Sequence, residues 1–239
     1  MALPSLSRHL TYGTRRVMST AVSNVTTRTT LKDFSFIPNL FSESEQKILI
    51  SSSLQKLDSA ERREFRRRRK EYFKQRSTDD ASSSHLNDLF LPDNFYSFEE
   101  GHYDGVIRNY REMHVSSWPE EYPEMPSLLD RLKSVHPDEP TQTHILHLAS
   151  DGEILPHIDN LQASGSWILG VSLGSSRILR IENVDDPTDV HELMLPSGSV
   201  YLQRDSTRYS YKHSILKGGT DPETSGQRLS IMIRNLFRG

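Results

Sequence analysis

The chain has no cysteine among its 239 residues. Disulfides, thiolate metal sites and cysteine nucleophiles are excluded at once, which leaves histidine and carboxylates as the only strong metal ligands. Long hydrophobic runs are missing too. No apolar stretch reaches the ~18 residues that a membrane-spanning helix needs, so no stable membrane insertion is expected. With 34% hydrophobic and 26% charged residues, the composition is that of a soluble protein. Acidic residues are absent before Asp33, whereas Arg8, Arg15, Arg16, Arg28 and Lys32 precede it among many Ser and Thr. Arg-rich, Ser-rich and acid-poor is the composition of a mitochondrial transit segment, here residues 1–32; a disordered basic tail would share it. The whole chain carries a net charge of −3, so residues 33–239 carry −8. A body that acidic argues against broad nucleic-acid binding, and no DNA partner is expected.

Leu155-Pro156-His157-Ile158-Asp159-Asn160 is the stretch around which the rest is organised. Side chains alternate along a strand, so His157 and Asp159 point the same way if the segment is extended. An imidazole and a carboxylate on one face can share a metal ion, and a second histidine would complete the facial triad of non-haem iron oxygenases. The pattern His-x-Asp also occurs by chance, so the partners decide. From Thr141 onward the chain breaks into eight β-type runs: 142–148, 153–158, 166–173, 177–182, 190–195, 199–204, 208–215 and 228–236. Turn signals such as Asp151-Gly152, Pro196-Ser197-Gly198 and Gly218-Gly219 separate them. Eight short strands at this spacing predict a sandwich, barrel or jelly roll, and the lack of helical periodicity argues against an α/β fold. His213, near the end of the seventh run, can meet His157 and Asp159 at one mouth of such a roll. His144, His147 and His191 are read as surface or packing residues.

The eighth run alternates. Leu229, Ile231 and Ile233 face one way; Arg228, Ser230, Met232 and Arg234 face the other. Two arginines pointing into a barrel would be costly without anions, and a dicarboxylate co-substrate would satisfy both. The other reading puts this face in solvent.

Before the strands, Phe34–Pro38 reads as a short strand and turn. Ser42 and Glu45 form a capping box, which starts a helix over about Glu43–Leu57. Residues 61–76 hold nine basic side chains, with Phe65, Tyr72 and Phe73 near one side of a helix. This is either a basic arm for RNA or acidic lipid, or a solvated helix face whose aromatics pack on the body; charge runs favour the second. Residues 77–87 read as a loop. The proline-rich segment 88–140 resists assignment apart from a short helix over Ser127–Val135.

His157-x-Asp159, then His213, then Arg228-x5-Arg234, resembles the AlkB family of Fe(II)- and 2-oxoglutarate-dependent dioxygenases. The resemblance covers residues 141–239 well and the Phe-Ile-Pro-x-Leu-Phe start near residue 36 less specifically. It implies a mainly β (α+β) fold, a double-stranded β-helix or jelly roll over 141–239. Residues 33–140 would be a helical and loop extension packed on that core. It also implies that His157, Asp159 and His213 hold Fe(II), that Arg228 takes the distal carboxylate of 2-oxoglutarate, and that Arg234 and Ser230 lie near its other end, with dioxygen as co-substrate. Nucleic-acid-repairing AlkB proteins carry Asn-x-Tyr where this chain has Leu146 and Leu148, so that help in holding 2-oxoglutarate is absent. Tyr201 could supply a phenol from a neighbouring strand. Leu-x-Leu there, with the transit-like start, is similar to the seventh AlkB homologue subfamily, the mitochondrial one. That similarity implies a matrix location and links to fatty-acid metabolism, programmed necrosis and demethylation of mitochondrial RNA, as well as a reduced lid over the substrate. The substrate would be a protein or an RNA. A small-metabolite hydroxylase and a jelly-roll binding protein without turnover are the competing readings.

Overall fold

The computed structural model describes residues 31–75, 85–160 and 165–236. The expected transit segment therefore lies outside the described residues apart from Leu31 and Lys32, as does most of the expected 77–87 loop. Among the described residues ten strands form one curled, fully antiparallel sheet: β1 (Phe34–Ile37), β2 (Glu99–Gly101), β3 (Ile107–Val115), β4 (Thr141–His157), β5 (Trp167–Gly174), β6 (Arg177–Asn183), β7 (Val190–Leu195), β8 (Ser199–Arg204), β9 (Tyr211–Ile215) and β10 (Arg228–Asn235). The hydrogen-bonded order is β1-β8-β5-β10-β4-β9-β6-β7, with β3 added to β4 and β2 to β3. This is the mainly β, jelly-roll architecture expected. Helices α1 (Glu43–Ala60), α2 (Arg63–Gln75), α3 (Met125–Lys133) and α4 (Asp205–Ser210) flank it, with short 3-10 turns at Leu86–Leu89 and Asp93–Phe95.

The capping box forms as read. Ser42 Oγ accepts from the Glu45 N–H, and Glu45 Oε2 accepts from the Ser42 N–H at 2.8 Å. A cap of this kind stabilises a helix by about 1 kcal/mol. Leu49, Ile50 and Leu54 of α1 and Leu128 and Leu132 of α3 then cover the outer face of β5 and β10, where Leu169, Val171, Leu229 and Ile231 are fully buried. A second apolar cluster fills the space between the two halves of the curled sheet, through Leu146, Leu148, Leu179, Ile181 and Ile215. β10 is thus buried on both faces. Its leucine and isoleucines meet the helices, so its arginines are turned into the barrel, and the solvent-facing alternative for Arg228 and Arg234 is excluded.

Three expectations are corrected. The runs 142–148 and 153–158 are one strand, β4. Its first half pairs with β10 and β3, and its last residues pair with β9, so it serves both halves of the sheet. Asp151-Gly152 lies within the strand, at a bulge, rather than in a turn. A Cβ on Gly152 would sit 2.6 Å from the Asn109 carbonyl of β3, beside a register shift between Arg108 and Tyr110. Glycine is the residue that admits so close a backbone approach at a bulge. The run 208–215 is a strand only from Tyr211; Asp205–Ser210 forms a helical turn. Asp205 has a positive φ of 47°, Ser206 Oγ donates to Asp33 at 2.6 Å, and the Thr207 hydroxyl donates to the Lys32 carbonyl. Local bonds of this kind compete with a ladder. Finally, segment 88–140 is not only helix and loop. β3 runs along β4 over most of its length.

The basic run is described over residues 61–75, and it matches the solvated-helix reading only in part, because Phe73 is 59% exposed rather than packed on the body. Arg69 is buried against Glu61 and lies 3.2 Å from Asp58, and Tyr72 packs edge-on to Phe95, while the other basic side chains of α2 are exposed. Among the described residues no helix is long and apolar enough to cross a membrane.

Candidate active site

β4 ends at His157, and its cross-strand partner on β9 is His213. Asp159 follows two residues on, where alternation keeps it beside His157. The ligating atoms of these three side chains all lie within 4.8 Å of one another. His157 Nε2 is 3.3 Å from Asp159 Oδ1, and His213 Nε2 is 3.6 Å from Oδ2. Among the described residues this is the one group of three or more such side chains close enough to hold a metal ion. His157 Nδ1 lies 2.9 Å from the Leu155 carbonyl. Nδ1–H therefore donates, which turns Nε2 toward the cluster, as ligating imidazoles are oriented. The sequence had not identified this partner.

The protonation states suit a cation. Burial pushes His213 down to about 4, so it stays neutral. Burial would raise Asp159, but His213 and His157 hold its carboxyl well below the usual carboxylate range. Burial would lower His157, yet the Asp159 carboxylate outweighs it and raises it, so a metal there would displace a proton. Arg208 of α4, which the sequence reading had not singled out, donates from Nη1 to the Asp159 carbonyl at 3.3 Å and fixes the backbone behind the carboxylate.

The cluster opens into a cavity of about 670 Å³ whose wall includes Tyr201, Arg228, Ser230 and Arg234. Arg228 is 1% exposed. Its Nε donates to Ser172 Oγ at 3.0 Å, the Tyr201 phenol lies beside it, and its Nη2 has no partner. Ser230 Oγ and Arg234 Nε are also buried without a partner. Buried donors are rarely left unpaired, and each such loss costs about 1–3 kcal/mol. A row of them facing one cavity is a site shaped for an anion of roughly the length of the row. Every site residue expected from the sequence is thus gathered in a single cavity, with Leu146 on its wall. His144 and Glu112 line it as well and were missed. His144 is two residues from Leu146, so the alternation that turned Leu146 inward could have found it. His147, by contrast, is a packing residue, buried between Arg111 Nε and Gln227 Oε1 at 2.9 Å each. His191, part-buried, meets Asp189.

Residues 33–234 match the 2OG-Fe(II) oxygenase superfamily. The chain belongs to that superfamily. The oxygenase is 34% identical over 152 residues to the cattle (Bos taurus) alpha-ketoglutarate-dependent dioxygenase alkB homolog 7, mitochondrial. That match covers 59% of this chain and 67% of the relative. It is 32% identical over 151 residues to the mouse (Mus musculus) protein of the same name, with the same coverage. The solved structure of OsALKBH1 superimposes with a TM-score of 0.54 at 15% identity, covering 85% of this chain and 96% of that one, a likeness of fold. The oxygenase is accordingly a dioxygenase of AlkB type that uses Fe(II), 2-oxoglutarate and dioxygen. The residues present fit those groups: two imidazoles, neutral His213 and a His157 that would give up its proton to the metal, with an ionised carboxylate beside them, and unpartnered buried guanidinium and hydroxyl donors for a dicarboxylate.

Proposed function

We propose that this oxygenase works in mitochondria, with residues 1–32 as the targeting segment ahead of an N-terminal extension (33–140) and the jelly-roll core (141–239), and that it hydroxylates or N-demethylates a protein or RNA. In this reading His157, Asp159 and His213 hold Fe(II). Arg228 grips the distal carboxylate of 2-oxoglutarate, assisted by Tyr201, while Ser230 and Arg234 face its other end. The observation that carries the reading is the row of unpartnered buried donors, Arg228 Nη2, Ser230 Oγ and Arg234 Nε, in one cavity with the His-Asp-His cluster. The two relatives named as mitochondrial support the location, and the resemblance to the seventh AlkB homologue subfamily extends the proposal to a role in fatty-acid metabolism and programmed necrosis.

When bound, the iron and 2-oxoglutarate supply an oxidant that places one oxygen atom of O2 in a substrate C–H bond, the other going into succinate as carbon dioxide leaves. The chain's own part is positioning and electrostatics. The Leu155 carbonyl holds the His157 ring; Arg208 holds the Asp159 backbone; Arg228 and Arg234 neutralise the carboxylates of the co-substrate and fix its direction. On an N-methyl group, the hydroxymethyl product would release formaldehyde and leave N–H.

The test is succinate formation from 2-oxoglutarate with Fe(II) and ascorbate under air, comparing the parent with His157→Ala/Asp159→Ala. Succinate from the parent that is lost in the double variant supports the assignment. Succinate made equally by both would sink it.

A further inference from the structure

The two sides of α2 differ in what they touch. One side is pinned to the body. Arg69 lies against Asp58 and Glu61, and its Nη1 donates to the Phe95 carbonyl at 2.8 Å. Arg68 Nη1 donates to the Asn94 carbonyl at 2.6 Å, and Tyr72 packs edge-on to Phe95 with ring centroids 4.9 Å apart. On the other side Arg63, Arg66, Arg67, Lys70, Phe73 and Lys74 recur at three- and four-residue spacing, and all six are exposed. They cover about a third of the helix circumference and run ~17 Å along it.

Five cations share this stripe and no carboxylate lies within it. Glu64 and Glu71, the acidic residues of α2, sit on its flank, and Glu71 meets Arg67 at 3.5 Å. Among the described residues no ion pair restrains Arg63, Arg66, Lys70 or Lys74. Residues 33–239 carry a net charge of −8, so the stripe is opposite in sign to the body that bears it. A second, independent feature lies at its edge. Phe73, one turn on from Lys70, is 59% exposed and meets Tyr72 edge-on at 5.7 Å.

Unpaired cations in a row call for an anionic partner, and the aromatic rings decide which kind. Single-stranded nucleic acid is held in a charged groove by bases stacked on exposed rings. Here the other two rings of the helix are turned away from the stripe: Tyr72 packs on Phe95, and half-buried Phe65 lies under the Arg68 guanidinium at 5.5 Å. The stripe is the convex face of a helix, and no residue of α2 lines the metal-site cavity. A convex row of cations flanked by one apolar ring meets a plane of phosphates along its whole length, with the ring reaching the acyl boundary.

We propose that the outward face of α2 docks the protein on an anionic membrane surface, with Arg63, Arg66, Arg67, Lys70 and Lys74 against lipid phosphates and Phe73 in the headgroup layer. The assignment does not rest on the dioxygenase reading. The full chain is sedimented with vesicles of phosphatidylcholine alone, or with about 30% phosphatidylglycerol, at about 0.15 M salt. A base near such a surface contributes about a factor of five, so the parent should bind the anionic vesicles at least about thirtyfold tighter than the neutral ones. Arg63→Gln/Arg66→Gln/Lys70→Gln/Lys74→Gln removes that preference, and Phe73→Ser weakens anionic-vesicle binding about three- to tenfold. Salt gives the same answer on the parent itself, whatever the fold of the charge variant: binding falls at least about tenfold between about 0.05 M and about 0.5 M. Equal binding to both vesicles overturns the proposal, as does a preference that survives the charge variant, binding indifferent to salt, or a Phe73→Ser variant that binds like the parent. A single-stranded RNA bound more tightly than the anionic vesicles at equal phosphate concentration, and lost in the charge variant, assigns the stripe to nucleic acid and overturns it too.

Discussion

Replacing Arg228 by methionine separates a ligand-gripping arginine from a structural one. The side chain is 1% exposed, spends its Nε on Ser172 and leaves Nη2 without a partner. Burial alone pushes its guanidinium down, which marks a cation held out of water at a cost in the ligand-free protein. A carboxylate of 2-oxoglutarate seated there would complete a desolvated, charge-assisted pair. Removing one member of such a pair costs about 2–5 kcal/mol, much of it the stranded charge. At about 1.4 kcal/mol per factor of ten, Arg228→Met should weaken 2-oxoglutarate binding by roughly 30-fold to several thousand-fold. The ligand-free protein should meanwhile melt at the parent's temperature or above it, because a methionine of similar length removes an unpaired buried charge. Titration calorimetry on manganese-loaded protein, which binds without turning over, gives the affinity, and a thermal melt gives the stability. Arg228→Lys should recover only part of the affinity, since it keeps the charge and loses the fork. If Arg228→Met binds 2-oxoglutarate within about threefold of the parent, or melts far lower with affinity intact, the assignment is refuted.

Three further outcomes follow from the same geometry. Gly170→Ala would place a Cβ 2.4 Å from the Tyr201 ring; moving that ring should cost about 1–3 kcal/mol of stability and raise the KM for 2-oxoglutarate, read by denaturant unfolding and steady-state kinetics. Glu61→Gln should destabilise the protein by about 3–5 kcal/mol, because Glu61 is the shared carboxylate of the buried Arg69 and Arg111 and also accepts from Ser97; urea unfolding reads it, and a loss under about 1 kcal/mol would contradict the buried network. His147 is held neutral, pushed down first by burial and then by Arg111, whereas in the unfolded chain it takes a proton near pH 6.5. The unfolded state then binds more protons, so stability is full above about pH 6.5 and falls below it by up to about 1.4 kcal/mol per pH unit. His147→Gln should flatten that slope in melts between pH 5 and 7, and an unchanged slope would show that His147 is not its source.

The site was legible where its geometry is local. His157 and Asp159 share a face because alternation along an extended segment requires it, and Arg228, Ser230 and Arg234 share one for the same reason. The strand count was legible in part, because turn residues punctuate the second half of the chain. It failed at Asp151-Gly152, where glycine serves a close approach to Asn109 on a strand the sequence had concealed. β3 was concealed because it reads Ile-Arg-Asn-Tyr-Arg-Glu-Met-His-Val, with charges where an ordinary strand has apolar residues. Arg111 tolerates burial there because Asp58 of α1 and Glu61, the residue after that helix, reach it.

Sequence alone therefore determined the chemistry available: no thiols, a His-x-Asp pair, a later histidine, and two arginines on one side of a strand. Their order along the chain was enough to carry the resemblance to AlkB dioxygenases. Tertiary structure decided which side of β10 is the inside, because helices α1 and α3 cover the leucine face and leave the arginines only the cavity. It brought His213 opposite His157 by pairing β9 with the end of β4. It also turned His144 and Glu112 toward the same opening. Those contacts join residues tens of positions apart, and only the register between strands, a property of the packed sheet, sets which of them meet.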